Sequence, residues 1–142
     1  MSIWFRNYTP QELNHIMNDT LITHLGIEIV EIGDDFLKAR MPVDKRTRQP
    51  MGILHGGASV VLAETLGSGA SNLVINRDEW YAVGLEINAN HVRSVAGGHV
   101  IGTARPLHLG KTTQVWEMQI HDEEGNLVCV SRMTNMVLRK EK

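Results

Sequence analysis

The sequence predicts an α+β fold in which a curved antiparallel sheet wraps around one long central helix. A helical pattern of small and apolar residues runs from Gly56 to about Asn76 and contains a single formal charge, so this helix needs a sheet to cover it. Alternating apolar and polar residues recur before and after the helix, in segments joined by tight turns, which indicates antiparallel strands. One face of such a sheet remains to be buried, and we therefore expect a dimer.

The predicted elements are a short helix, two strands, the long helix and four strands. Thr9-Pro10-Gln11-Glu12 has the form of a capping box with proline at the first helical position, and Leu13, Ile16 and Met17 of the helix that follows should face inward. Pro106 is expected to end the fourth strand. The predicted strands are 27–32, 36–43, 83–90, 99–105, 112–120 and 127–138.

Small residues form a seam along the long helix. Because an interior glycine costs a helix about 1 kcal/mol, Gly67 and Gly69 indicate close packing against a sheet rather than a hinge. The other members of this seam are Ser59, Ala63, Ala70 and Val74.

Length and composition limit the class of protein. A chain of 142 residues predicts one domain spanning 1–142, and 14 basic against 16 acidic residues argue against a nucleic-acid partner. The single cysteine, Cys129, excludes an intrachain disulfide and a Cys-rich zinc module, and the seven histidines show no metal-binding H-E-x-x-H pattern. With no secretory signal and no membrane span in the sequence, we expect a cytoplasmic protein with no membrane partner.

Glu64 is the only formally charged residue between Arg48 and Arg77. One interpretation places it on a solvated stripe of the long helix. However, such a stripe normally carries several charges, whereas this one otherwise has only Ser, Thr and Asn. The pattern therefore favours a functional carboxylate, a candidate general base or nucleophile.

His55-Gly56-Gly57 stands at the predicted start of the same helix. Unpaired N–H groups at a helix start could polarise a bound carbonyl oxygen, and glycine lets a ligand approach the backbone. His55 alone is equally consistent with a helix cap or a core histidine. Ser68 follows Glu64 by four residues on the same helical face, where it either orients the carboxylate or a water molecule or simply packs.

Three further polar residues remain ambiguous from the pattern alone. Gln49 lies in the loop before the long helix, where an exposed glutamine is ordinary. Arg93, after a predicted strand, and Lys111, in the predicted turn Leu109–Thr113, could bind phosphate, although most exposed basic residues bind nothing.

The segment Gln49–Glu64 resembles the signature of hotdog-fold acyl-CoA thioesterases. Val83–His91 and Pro106–Gly110 match the same family, and the similarity extends from about Leu13 to Leu138. It is strongest to the bacterial branch that contains the 1,4-dihydroxy-2-naphthoyl-CoA hydrolases of menaquinone synthesis and the proofreading thioesterases of enterobactin synthesis. The resemblance implies a hotdog fold, dimers or tetramers with active sites at the dimer interface, and no metal or redox cofactor.

The resemblance also implies roles for individual residues. Glu64 would be the nucleophile or general base, the Gly56 N–H would polarise the thioester carbonyl, and Ser68 would hold the water. Gln49 and His55 would position the thioester and its leaving group. The residues implied to bind the acyl group and coenzyme A, partly from a partner subunit, are Val83, Gly84, His91, Arg93, Leu109, Gly110, Lys111 and Thr112.

Competing functions stay open at this point. A hydratase or dehydratase uses the same fold, and a non-catalytic acyl-CoA-binding module is the third hypothesis, since fold alone separates none of them. The order of His55-Gly-Gly and Glu64 favours the thioesterase. The acyl group could be aromatic or alkyl, with Leu62, Leu66 and Val83 as candidate contacts, and the thiol could belong to coenzyme A or to a carrier protein.

Overall fold

The computed structural model describes residues 1–142 and contains three helices and six strands. The helices are α1 (Pro10–Ile16), α2 (Leu21–His24) and α3 (Gly56–Val74). The strands are β1 (Glu28–Ile32), β2 (Leu37–Pro42), β3 (Trp80–His91), β4 (His99–Leu109), β5 (Thr113–Asp122) and β6 (Leu127–Arg139).

All six strands form one antiparallel sheet in the order β1-β2-β4-β5-β6-β3, and α3 packs against β2 to β6. β1 and β3 are therefore the edge strands, so β3 leaves one side of its backbone unpaired by any strand of this chain. The expected α+β architecture with one long helix on an antiparallel sheet is confirmed. No helix has the length and apolar character that crossing a membrane requires.

The strand after the Gly97-Gly98 turn is longer than predicted. β4 does not end before Pro106 but continues to Leu109, with an irregularity in its pairing with β5 between Pro106 and His108. Proline lacks an N–H group, and a bulge is one of the places where a strand accommodates it. Two other differences are that α2 is an additional short helix and that β3 begins at Trp80.

The apolar residues of the two predicted helices are not all buried or exposed as expected. Leu13 is buried, but Ile16 is 58% exposed. Leu62 and Leu66, considered above as acyl contacts, are fully buried against the sheet and lie next to Gly102 of β4. They belong to the core, because their helical face is the one that the sheet covers.

The seam of small residues is partly confirmed. A Cβ atom on Gly67 would lie 2.9 Å from Met133 Sδ and 3.3 Å from Met118 Sδ, so this glycine does allow close approach to β5 and β6. A Cβ atom on Gly69 would meet only Leu37 and Met17 side chains, both at 3.8 Å, which is ordinary contact. Close packing therefore explains Gly67 and not Gly69.

The residues before α1 pack against the rest of the fold. The Trp4 ring stacks on Trp116 with ring centroids 6.2 Å apart, and its indole N–H donates to the Gly33 carbonyl at 2.6 Å. The Phe5 N–H donates to the carbonyl of Leu73 near the end of α3 at 2.8 Å. These contacts hold the N-terminal segment beside the last turns of α3.

Candidate active site

The start of α3 presents one free backbone donor. His55 is the N-cap, and its Nδ1 accepts a hydrogen bond from the Gly57 N–H at 2.8 Å. The N–H groups of Ala58 and Ser59 both donate to the His55 carbonyl. The Gly56 N–H has no hydrogen-bond partner within the chain, which leaves it available to a ligand oxygen.

His91 and Arg93 lie beside this donor. A Cβ atom on Gly56 would be 3.0 Å from His91 Nε2, so the imidazole lies against the backbone of the first helical residue. A cleft of about 420 Å³ opens here, and its polar lining includes Ser59 and Arg93. The structure thus brings three of the residues chosen from sequence, Gly56, His91 and Arg93, into one cleft.

The Glu64 carboxylate lies further along α3, opposite the edge strand. Glu64 is exposed in the single chain and has no hydrogen-bond or ion-pair partner, and its Oε2 lies 3.4 Å from where a Cβ atom on Gly84 would be. Because Gly84 has no side chain, the carboxylate has room beside β3. A bulge in the β3–β6 pairing between Gly84 and Glu86 adjoins this point.

Ser68 does not hydrogen-bond to Glu64. Its hydroxyl lies 3.8 Å from Met133 Sδ, a weak contact across to β6, and its carbonyl accepts from the Asn72 amide at 2.9 Å. The same Asn72 amide bonds the N–H and C=O of Ala82 on β3. Asn72 thereby ties the edge strand to the helical turn that contains Ser68.

A second, larger cavity lies on the open side of α3 and begins at Thr65, the residue after Glu64. It measures about 500 Å³, and α1, the N-terminal segment and α3 enclose it. Its apolar wall includes Leu13, Met17 and Ile22, and α3 contributes Thr65, Ser68 and Gly69. Phe5 and Tyr8 also line it, and Arg6, Asn76, Arg77 and Asp78 give its far end polar groups.

Sequence reasoning missed this cavity. Its helix side is a set of small and polar residues, and its other wall comes from residues that precede β1 in the chain. The sole available signal was Gly69, whose cost to the helix has no explanation in close packing.

The remaining candidates lie apart from this group within one chain. Gln49 is folded onto its own turn, where its side-chain oxygen accepts from the Met51 N–H. The turn that contains Leu109, Gly110, Lys111 and Thr112 lies at the other end of the sheet from His91. His91 pairs with Cys129, whereas Thr113 pairs with Met136, seven residues along β6 and thus about 24 Å away. Val83, beside Gly84 on β3, is 40% exposed.

The side chains of the site do not form a metal centre. The structure contains no group of three or more His, Cys, Asp or Glu residues with the proximity that a metal ion needs. The chemistry available at the site is instead a free backbone N–H, an unpaired carboxylate, an imidazole and an apolar cavity.

Comparisons with known proteins identify the family of this chain. A profile of the thioesterase superfamily matches residues 51–129. A 1,4-dihydroxy-2-naphthoyl-CoA hydrolase from Escherichia coli (strain K12) is 53% identical over 136 residues, covering 96% of this chain and 99% of the relative. The proofreading thioesterase EntH of Cronobacter turicensis is 52% identical over 136 residues, covering 96% and 98%.

Solved structures give the same result. The thioesterase HI1161 from Haemophilus influenzae superimposes with a TM-score of 0.94 at 47% identity, covering 96% of this chain and 95% of that one. A mutant of the thioesterase PA1618 from Pseudomonas aeruginosa gives a TM-score of 0.96 at 44% identity, covering 98% and 100%. This chain therefore belongs to the thioesterase superfamily and is a hotdog-fold enzyme that hydrolyses thioesters.

Proposed function

We propose that this enzyme hydrolyses acyl-CoA thioesters with an aromatic acyl group, of the class of 1,4-dihydroxy-2-naphthoyl-CoA. In this proposal Glu64 is the general base or nucleophile, and the Gly56 N–H binds the carbonyl oxygen. The acyl group occupies the 500 Å³ cavity beside Ser68 and Gly69. One relative, from Escherichia coli, has this hydrolase activity in its name.

The observation that carries the proposal is the position of an unpaired carboxylate directly before an apolar cavity on one helix. Glu64 precedes Thr65 by one residue and Ser68 by one turn, and both of these line the cavity. An acyl group whose carbonyl carbon lies at Glu64 would extend along α3 into the apolar part. From Thr65 to Leu73 the cavity follows α3 for about 12 Å, which is long enough for a bicyclic ring.

The chemistry needs two groups that act on one carbonyl. A donor at the carbonyl oxygen stabilises the negative charge that develops when a nucleophile adds to the carbon. A carboxylate either removes a proton from water or attacks the carbon itself. The free Gly56 N–H and the unpaired Glu64 carboxylate supply these two functions, and His55, Gln49 and Ser68 would position thioester, leaving group and water.

We also propose that the working unit is at least a homodimer, joined along the β3 edge. Gly56 and Glu64 are eight residues apart, about 12 Å along α3, which is long for two groups that share one carbonyl. Glu64 faces Gly84 on the free edge strand, so a second chain along β3 would approach it. Val83 and Leu85 are 40% and 54% exposed on this strand, and a second chain would cover them. The partner's Leu109–Thr112 turn would then complete a coenzyme A site.

A carrier-protein substrate is the second candidate function. The observation that favours it is the relative named proofreading thioesterase EntH, which is nearly as similar to this chain as the naphthoyl-CoA hydrolase. The acyl cavity would serve either substrate, since both attach the acyl group to the same thiol chemistry. The two functions differ in which thiol carrier the surface around His91 and Arg93 binds.

The test is thiol release from a panel of aryl- and alkyl-CoA thioesters and aryl-loaded carrier proteins, using wild type and Glu64→Ala. We expect aryl-CoA to give the highest kcat/KM and Glu64→Ala to lose about 10²- to 10⁴-fold in kcat. Thermal melts check the fold of the variant, and Glu31→Ala on β1 is a control for removal of an exposed carboxylate. Full activity of Glu64→Ala in a folded protein would contradict the catalytic assignment, and higher kcat/KM on carrier proteins would support the second candidate.

Isotope labelling separates the two roles of Glu64. In a single turnover in ¹⁸O-water, direct attack through a mixed anhydride places label in Glu64. General-base action places label only in the product acid. Peptide mass spectrometry of Glu64 after one turnover is the measurement.

A further inference from the structure

Asn135 of β6 is a buried amide on the strand face that packs against α3. It is fully buried, and its Nδ2 donates to the Gly67 carbonyl at 3.2 Å and to Ser71 Oγ at 2.6 Å. These two acceptors are one turn apart and bracket Ser68. The amide nitrogen of Asn135 thus fixes the helical turn that follows Glu64.

The amide oxygen of Asn135 has no partner. It is the one buried side-chain oxygen or nitrogen of the chain that makes no hydrogen bond. A buried acceptor without a partner is costly, and such groups in folded proteins call for a reason. An apolar residue would fill the same place in the core without this cost.

The unpaired oxygen and the Glu64 carboxylate border the same space, the one left open by the missing side chain of Gly84. The point where a Cβ atom on Gly84 would stand is 3.7 Å from Asn135 Oδ1 and 3.4 Å from Glu64 Oε2. The methyl group of Met133 lies 2.7 Å from the same point and borders this space on one side. Met133 and Glu64 both have flexible side chains, so small rotations can change the separation of the two oxygens.

We propose that Asn135 is a positioning residue for Glu64: its nitrogen holds the helical turn, and its unpaired oxygen accepts a hydrogen bond from Glu64 when Glu64 carries a proton. The inference rests on the proposed function, with Glu64 as general base. Neutral Glu64 is a hydrogen-bond donor, whereas the carboxylate is an acceptor only. Asn135 Oδ1 is therefore an acceptor for Glu64 once Glu64 has taken a proton from the attacking water.

The step conserves atoms and charge. Water adds its oxygen to the thioester carbon while one water proton passes to Glu64, which becomes neutral and donates to Asn135 Oδ1. The C–S bond then breaks, and the proton passes from Glu64 to the departing thiolate. The products are the acid and the free thiol, and Glu64 is again a carboxylate.

Asn135→Leu is the decisive variant, because it replaces the amide with an apolar side chain of similar size. We expect Tm to stay the same or rise, since the unpaired oxygen is gone and the Ser71 hydroxyl can bond within its own helix. We expect kcat to fall about 10- to 100-fold with KM unchanged, because the protonated Glu64 that forms during the reaction loses its hydrogen-bond acceptor. Asn135→Ala, which is smaller and has no hydrogen-bonding side-chain group, provides the same comparison of kcat if the leucine does not fit.

Gln114→Leu is the matched control. Gln114 is also a buried amide, is the register partner of Asn135 on β5, and its oxygen accepts from the Trp116 indole N–H at 3.0 Å. Loss of the Gln114 amide leaves the indole N–H of Trp116 without an acceptor, so Tm should fall while kcat stays the same. A purely structural Asn135 would behave like Gln114, with lowered Tm and unchanged kcat in both its variants, and this result would overturn the inference.

The outcomes also separate this inference from the proposed function. If wild type releases no thiol from any thioester, the proposed function fails first. If wild type is active and Glu64→Ala is not, but both Asn135 variants keep wild-type kcat, only the role of Asn135 fails.

Discussion

The two faces of α3 differ in how tightly they are packed. On the face toward the sheet, Leu62, Ala63, Leu66 and Ala70 are fully buried, and side chains of β5 and β6 press against Gly67. On the other face, Glu64 is exposed and Thr65, Ser68, Gly69 and Asn72 are half-buried. A cavity of about 500 Å³ remains beside these four half-buried residues. One face contributes to stability, and the other leaves space and unpaired polar groups for a substrate.

Gly67 and Gly69 show why residue type alone does not reveal this difference. They are two residues apart, so they point to different sides of the same helix. A methyl group on Gly67 would collide with Met133 Sδ, whereas a methyl group on Gly69 would only narrow the cavity. The same residue thus serves close packing in one position and open space in the other.

Among the glycines of α3, Gly56→Pro should give the largest effect on activity. Proline is favoured at the first helical position, and the extended backbone of His55 (φ −69°, ψ 129°) suits a following proline. The change removes the free N–H, and we expect kcat to fall about 10²- to 10³-fold. Steady-state kinetics on the best acyl-CoA measure this.

Gly56→Ala is the control for that experiment, since it keeps the N–H and adds a Cβ atom 3.0 Å from His91 Nε2. Equal kcat values for the proline and alanine variants would mean that crowding of His91, and not loss of the N–H, limits the reaction.

Gly69→Leu should change selectivity by filling the cavity. We expect kcat/KM for aryl-CoA to fall about 10- to 200-fold, while acetyl-CoA, which needs none of this space, is unaffected. The ratio of the two kcat/KM values is the measurement. An unchanged ratio would show that the acyl group binds elsewhere.

Alanine at the two glycines should change stability in opposite directions. Gly69→Ala should raise the free energy of unfolding by about 0.5–1 kcal/mol, because alanine favours helix and has room. Gly67→Ala should lower it by about 1 kcal/mol or more, because overpacking outweighs the helix gain. Urea unfolding of both variants measures the difference, and stabilisation by both would contradict the tight packing of the sheet face.

Asp44→Asn should have the smallest effect, in the turn before α3. Hydrogen bonds from Arg46, first from its side chain, lower the pKa of Asp44 from its ordinary 3.8 to about 2. The stabilisation is therefore complete above about pH 4 and is lost as pH falls toward 2, because the unfolded chain takes up the proton first. We expect the Tm difference between wild type and Asp44→Asn to be small at pH 7 and to vanish near pH 2. A difference that persists at pH 2 would mean that Asp44 acts through a contact other than its charge.

Much of the fold could be predicted from sequence, because local patterns decide it. Pro10 and Thr9 set the start of α1, the alternation in 36–43 sets β2, and the glycine-rich run after His55 sets α3. The main error was the prediction that β4 ends before Pro106. Whether a strand continues past a proline depends on a bulge in its pairing with the neighbouring strand. The prediction that Ile16 faces inward was wrong for a similar reason. Leu13 is the only buried residue of the seven-residue helix α1, and tertiary contacts decide how much of so short a helix is covered.

The site could be predicted only in part. The lone charge of Glu64 and the glycines after His55 were visible because they are unusual in their own segment. The 500 Å³ cavity and the position of Asn135 were not visible, since each depends on segments far apart in the chain. An asparagine in the core-facing alternation Ser131, Met133, Asn135, Val137 was the signal for the latter.

The sequence by itself determined which groups can act: one carboxylate in an uncharged helix, glycines at its start, and an alternation of apolar residues for the sheet. Tertiary structure alone decided where those groups lie. Packing of β5 and β6 against Gly67 assigns one face of α3 to the core, and the N-terminal segment across the other face encloses a cavity beside Ser68 and Gly69. Residue chemistry is a local property, whereas cavities and unpaired buried atoms arise only where distant segments meet.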